Sequence, residues 1–302
     1  MYRLNQERSL LLIDGFNLLS RGYFATAYGK DEADLPKTED GLYTNGLRVF
    51  WQKLFQLVTK HQITHLAIAW DVKREESIRR LEFPDYKATR GELPEPLIQQ
   101  YQTCLTLIEE LGIKELTTPP YEADDAIGAI AGIWEQEESG PCYIYSNDKD
   151  LLQLLSPQTS QIIASKKGEE TYTLEHFRSE YGIEPSQWPD VKALLGDKSD
   201  NIPGCAGIGP KTGLPLIQHY GTIEGIYENI DALEPEFTRC LKKLHAGKEA
   251  THVSKQLATI ICEIESLKGT QFTEYELRID ADTVATVLKP FSIRTSFQQP
   301  LF

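Results

Sequence analysis

Glu122, Asp124 and Asp125 crowd into one short stretch, 121–131, where a loop reads into a helix. Carboxylates this close raise one another's pKa and resist ionising unless a cation joins them, so the cluster points to metal chemistry. Acids also favour the first turn of a helix through its dipole, and that alone would explain an isolated pair. What decides between the readings is whether other acids converge on the same place. Asp14, Asp71, Asp148 and Asp150 each follow a short apolar run, and Asp197 and Asp200 lie three apart further on.

The elements needed to gather these acids are legible. The run 10–13 (Leu-Leu-Leu-Ile) reads as a buried parallel strand ending at Asp14, and 65–70 reads as a second strand stopped by Asp71. Residues 46–60 form an amphipathic helix pattern through Leu47, Phe50, Trp51, Leu54, Phe55 and Val58. Another helix is expected over 97–111, closed by Gly112. In the acidic stretch, Ile127, Ile130, Ala131 and Trp134 recur at helical spacing, and one turn back this stripe places Asp124 on the inward face. A third strand at 141–145 leads into Asp148 and Asp150. Alternating strands and helices imply an α/β fold with a mostly parallel central sheet flanked by helices, and ligand groups collect outside the carboxyl ends of such strands. The acids should therefore meet there.

Two segments read as anion-facing. Lys73, Arg74, Arg79, Arg80, Lys87 and Arg90 are interleaved with Phe83 and Tyr86, a mixture that suits a solvated charged face or an element that tracks a backbone and stacks bases. Asp197 and Asp200, expected on one face of a helical turn, lead into Gly207, Ile208, Gly209, Pro210, Lys211 and Thr212. The glycines make a tight turn, Pro210 suits the first position of a helix, and the exposed amides would cradle a phosphate. Lys211 opposes the helix dipole there, which an anion would relieve. From there to about 288 the chain reads as short helices and turns without visible chemistry.

The chain has 302 residues, 40% hydrophobic and 25% charged, with a net charge of −14. The charge opposes phosphate binding in bulk, but acids that hold cations no longer repel a phosphate, so the placement of the bases matters more. Cys104, Cys142, Cys205, Cys240 and Cys262 are scattered, as buried reduced thiols would be. No apolar run is long enough to span a bilayer and no secretory pattern opens the chain, so a cytoplasmic location with no membrane contact is expected.

With these motifs in place, the chain closely resembles the 5′-to-3′ exonuclease and flap endonuclease family over about 10–225. The resemblance rests on Ile13-Asp14-Gly15, Trp70-Asp71, the acids from Tyr121 to Asp125, Asp148-Lys149-Asp150, the stretch Gly196 to Asn201 and the glycine-rich helix-hairpin-helix. Arg80-Leu81-Glu82 and Tyr86-Lys87-Ala88-Thr89-Arg90 are similar to the family's helical arch, expected here over about 73–100. The resemblance implies a metal-dependent nuclease domain over 1–190 and a helix-hairpin-helix DNA-binding region with a C-terminal tail over 191–302.

It further implies two divalent ions, Mg²⁺ or Mn²⁺ given the hard oxygen donors. Asp14, Asp71, Glu122 and Asp124 would hold the first; Asp125, Asp148, Asp150, Asp197 and Asp200 would hold or support the second. Lys87 and Arg90 would approach the scissile phosphate, Tyr86 would stack on a base, and Arg79, Arg80, Gly207, Ile208, Gly209, Lys211 and Thr212 would contact DNA, with K⁺ a further candidate at the hairpin. The substrate would be DNA with 5′ flaps or 5′ ends, with RNA primers an open alternative. The final residues Gln298, Gln299, Pro300, Leu301 and Phe302 resemble peptides that dock on a sliding clamp. The competing readings are a PIN-type ribonuclease, a flap-binding protein without catalysis, and, more weakly, an Asp-x-Asp phosphatase.

Overall fold

Leu10, Leu11, Leu12 and Ile13 are fully buried, as a wholly apolar strand covered on both faces must be. The computed structural model describes residues 8–137, 140–166, 168–295 and 297; the tail 298–302 lies outside them. In chain order the elements are β1 (Leu10–Asp14), α1 (Gly15–Ala27), α2 (Asn45–Lys60), β2 (His65–Ala69), α3 (Ile78–Glu82), α4 (Glu95–Glu110), β3 (Lys114–Leu116), α5 (Ala123–Glu137), β4 (Cys142–Tyr145), β5 (Thr159–Ser165), β6 (Gly168–Tyr172), α6 (Leu174–Tyr181), α7 (Trp188–Leu195), α8 (Pro210–Tyr220), α9 (Ile223–Glu228), α10 (Leu241–Ala258) and α11 (Ala281–Leu288).

The six strands form one sheet in the order β3-β2-β1-β4-β5-β6. All neighbours are parallel except β5 and β6. The chain works outward on one side of β1 and then returns to its other side with β4, so the topological switch point lies between β1 and β4. In register, Asp14 stands opposite Ala69 and Ile13 opposite Tyr145, which aligns the carboxyl ends of the three central strands.

Period-two side-chain alternation divides the core. Leu11 and Ile13 pack with α1, α2 and α4, around Trp51, Phe50 and Trp70. Leu10 and Leu12 face α5, where Ile127, Ile130 and Trp134 meet them. A separate apolar cluster joins α7, α8, α9 and α10 through Leu194, Leu216, Ile223 and Leu244.

Two expectations change. The segment after Asp71 has only a 3-10 turn at Arg74–Glu76 and the five-residue α3 before α4; the rest is turns folded back on the site. The C-terminal part is not built only of short helices, because α10 runs for 18 residues, burying Gly247, Thr251 and Ser254 along α7. Of the cysteines, all free, four are buried and Cys262 is exposed. Among the described residues no helix is long and apolar enough to cross a membrane.

Candidate active site

Asp14 ends β1 and caps α1. Its Oδ1 accepts from the Asn17 amide at 3.0 Å and its Oδ2 from the Ser146 hydroxyl at 2.9 Å. Ser146 follows β4 directly, so a single side chain ties the ends of two central strands together. Asp71, beyond β2, accepts from the Ala123 amide at 3.0 Å, which ties a third strand end to the start of α5. Asp148 accepts from the Asp150 amide at 2.8 Å.

Asp124 opens toward this group. Among the described residues no hydrogen bond or ion pair reaches its carboxylate; burial, then Asp148, Asp14 and Asp71, push its pKa well above the usual carboxylate range. Burial and the neighbouring Asp71 and Asp148 likewise push Asp14 up to about 7, against the pull of its two donors. These four acids sit close enough to raise one another, and among the described residues no base forms an ion pair with any of them, although Lys87 pulls against the rise at Asp71 and Asp124 and Arg90 does so at Asp71. Among the described residues no trio of acid, His or Cys side chains is already gathered into an ion-binding group. A set of hard oxygen donors that repel one another, one of them without a donor, fits a divalent cation.

The remaining predicted acids face bases. Glu122 accepts from the Ser77 hydroxyl at 3.0 Å, the Tyr86 hydroxyl at 3.1 Å and the Lys87 ammonium at 2.9 Å. Burial would raise its pKa, but Lys87 and Arg79 hold it below the ordinary value. Asp150 and Asp197 share the Lys192 ammonium, 2.7 Å from each. Burial and Asp148 still push Asp150 up to about 6, whereas Lys192 and Ser199 outweigh burial and draw Asp197 down to about 2. Asp200 pairs with Arg90 at 2.7 Å. Asp197 and Asp200 do not share a helical face: 197–201 is a turn closed by the Asp197–Ile202 bridge, and it points the two acids at different bases, with the Ser199 hydroxyl between them.

Asp125, rather than Asp124, is the inward residue of the pair. It is fully buried and forms a bidentate pair with Arg79, both contacts at 2.7 Å, while its oxygens also accept from the amides of Glu122 and Ile261. Helical periodicity could not choose between them, because α5 is buried around most of its circumference. Arg79 in turn is 6% exposed and Tyr86 4%, so neither presents a face to DNA in this conformation. Arg80 donates to the Tyr86 carbonyl at 2.7 Å.

Lys87 and Arg90 do reach the site. Lys87 adopts the left-handed backbone region at φ 53, unfavourable for a side chain of its shape, and its amide donates to the Asp200 carbonyl at 2.8 Å. Asn201, also left-handed at φ 57, donates from its side chain to the Asp85 carbonyl. The 85–90 turn is thus docked on the 197–201 turn. Tyr86, Glu122, Asp71 and Asp200 hold the Lys87 ammonium protonated against the opposing effect of burial. Beside it lies a cavity of about 340 Å³ lined by Phe16, Trp70, Asp71, Lys87, Arg90 and Tyr101 among others.

At the hairpin, Gly207 (φ +80) makes the turn and Gly209 caps α8. Ile208 is anchored in the core, and the amides of Ile208, Thr212 and Gly213 already donate to backbone carbonyls. Among the described residues the amides of Gly207, Gly209 and Lys211 make no backbone bond, so fewer amides are open here than the sequence implies. The Gly207 carbonyl accepts from Lys243. Ser77, Ser146 and Lys192 escaped the sequence reading. Only Lys192 leaves a signal: the one base of α7, set between Val191 and the apolar run 193–195, five residues before Asp197.

Comparison with known proteins gives the family. The family model "5′-3′ exonuclease, N-terminal resolvase-like domain" matches residues 9–182, and "5′-3′ exonuclease, C-terminal SAM fold" matches 183–279. A 5′-3′ exonuclease of Halalkalibacterium halodurans is 61% identical over 285 residues, covering 94% of both chains. The chain belongs to the 5′-3′ exonuclease family. The family's nuclease unit also occurs within larger proteins: DNA polymerase I of Lactococcus lactis is 37% identical over 261 residues, 85% of this chain but only 29% of the polymerase. A bacteriophage T5 flap endonuclease solved as a pseudo-enzyme-product complex with DNA and metal ions shares the fold, with a TM-score of 0.64 over 94% of this chain and 100% of that one, at 21% identity.

Proposed function

We propose that this 5′-3′ exonuclease family member is a divalent-cation-dependent, structure-specific 5′-nuclease that hydrolyses phosphodiester bonds at 5′ flaps and 5′ ends of DNA. The observation that carries the reading is Asp124, a carboxylate that no hydrogen-bond donor reaches among the described residues, set among Asp14, Asp71 and Asp148 at the switch point of a mostly parallel sheet. These four would hold cations, with Glu122 and Asp150 at the margins. Bound Mg²⁺ or Mn²⁺ would supply Lewis acidity toward the phosphodiester and the attacking water.

The chain's own residues do the rest. Lys87 brings a protonated ammonium into an acidic cleft that would otherwise repel a phosphate, and Arg90 stands beside it on the same turn. Asp197 and Asp200 act by holding Lys192 and Arg90, which fixes the turn on which Lys87 rests. The amides of Gly207, Gly209 and Lys211, with the Lys211 ammonium, would grip the duplex backbone away from the cleavage point.

The test is cleavage of a 5′-flap duplex in Mg²⁺, in Mn²⁺ and in EDTA, with DNA and RNA flaps of equal sequence and mapped ends. Cutting near the junction that leaves a 5′-phosphate and stops in EDTA is expected. Tight binding without cutting, or cleavage confined to RNA, overturns the proposal.

A further inference from the structure

The stretch that leaves α10, 257–261, shows no chemistry of its own in sequence, yet each of its five residues offers a backbone group to a side chain beside the acid cluster. The Leu257 carbonyl accepts from Arg79 Nε at 3.1 Å and the Thr259 carbonyl from Arg79 Nη2 at 2.7 Å. Between them, the Ala258 carbonyl accepts from the Gln153 amide at 3.0 Å, and the Ile260 amide donates to the Gln153 carbonyl oxygen at 2.9 Å. The Ile261 amide donates to Asp125 at 2.8 Å. The Leu257 and Ala258 carbonyls of this strap belong to the last turn of α10, where a helix leaves its carbonyls without a partner of its own, and the other three groups lie at its cap and beyond.

Those holders stand on the segments that carry the active site. Asp125 is next to Asp124, Gln153 lies three residues after Asp150, and Arg79 lies in α3, which leads into Lys87. Arg79 is saturated: bidentate to Asp125, two carbonyls on the strap, and Glu122 at 3.7 Å. Asp125 is equally occupied, by Arg79, the strap and the Glu122 amide. A buried carboxylate with its lone pairs filled by donors and an arginine has no electron pairs left for an ion.

We infer that Arg79, Asp125 and Gln153 are positioning residues, and that with the strap 257–261 they lock together the three segments bearing Asp124, Asp150 and Lys87. Asp125 is thereby a structural carboxylate and not a metal ligand. The activity readout rests on the proposed nuclease function; the exchange readout below does not.

The test compares Asp125→Asn, Arg79→Lys, the double variant and Gln153→Ala, each as full chain. Measured are single-turnover kcat and KM on a 5′-flap duplex, the Mg²⁺ half-saturation of the rate, and hydrogen exchange of the Glu122, Ile260 and Ile261 amides. Misplaced reacting groups should lower kcat by about 10²-fold, with KM and Mg²⁺ half-saturation within about twofold of the parent. The double variant should be no worse than the poorer single one. Faster exchange at Ile261 in Asp125→Asn, and at Ile260 in Gln153→Ala, would show the strap released even if the parent cuts nothing. Gln153→Ala removes no buried charge, so it keeps the test open should the other variants fail to fold. A Mg²⁺ half-saturation raised tenfold or more in Asp125→Asn but not in Arg79→Lys overturns the inference, as does a parent-like kcat or unchanged amide exchange in Gln153→Ala.

Discussion

Two groups of acids lie side by side and differ in what faces them. At the strand ends, Asp14, Asp71, Asp124 and Asp148 face amides, one hydroxyl and each other. On the side of α3, α7 and the 197–201 turn, Asp125, Asp150, Asp197 and Asp200 face Arg79, Lys192 and Arg90 at 2.7 Å. The second group is neutralised by the protein itself and holds its frame together. The first keeps a repulsion that protonation or an added cation relieves, so on the proposed function acids alike in sequence would divide into ligand donors and structural anchors. Glu122 straddles the two, with Lys87 on one oxygen and Ser77 on the other.

The comparison can be broken at its strongest point. Asp124→Asn should lower flap cleavage by about 10³-fold, as loss of a group acting directly on transition-state charge does. The same change removes unrelieved repulsion, so thermal unfolding in EDTA should show the variant more stable than the parent, by about 1 kcal/mol. A destabilised variant would mean that Asp124 has a partner.

The frame should respond in the opposite direction. Lys192→Ala leaves Asp150 and Asp197 facing each other without their shared base, and both side chains are largely buried. Stability should fall by about 2 kcal/mol, less than for a fully buried pair because the site retains some solvent. Cleavage should drop about tenfold, as for other supports of a metal-binding shell. Denaturant midpoints and single-turnover rates check both.

The smallest effect is a pH dependence of the metal-free protein. Asp14, at about 7 in the fold against an ordinary 3.8, binds its proton more readily folded than unfolded. Its contribution is therefore full below about pH 4 and is lost as pH rises through 7, amounting to about 1.4 kcal/mol between pH 6 and 8. Asp150, at about 6, acts in the same direction at slightly lower pH. Melting in EDTA should fall across this range, and saturating Mg²⁺ should flatten the curve.

The strands that place the reactive acids were legible because burial on both faces demands unbroken apolar runs, as at Leu10 to Ile13. β3, β5 and β6 were not: β3 has three residues and β6 is a polar edge, Gly-Glu-Glu-Thr-Tyr. The membership of the acid cluster was legible; its division was not, because it depends on Arg79 and Lys192, which are remote from their partners in sequence or hidden in an apolar run. The strap 257–261 is invisible for a plainer reason: it acts through backbone groups, which every residue carries. The long α10 was missed because, between Leu244 and Leu257, the face it buries uses Gly247, Thr251 and Ser254 in place of large apolar residues.

The central claim is that the unpaired strand-end acids hold the ions and the paired ones do not. Calorimetric titration of Mn²⁺ into the parent, Asp124→Asn and Asp125→Asn tests it most directly. The account predicts that Asp124→Asn loses at least one ion and that Asp125→Asn keeps the parent's stoichiometry and affinity. Loss of an ion in Asp125→Asn, with parent-like binding in Asp124→Asn, would contradict it.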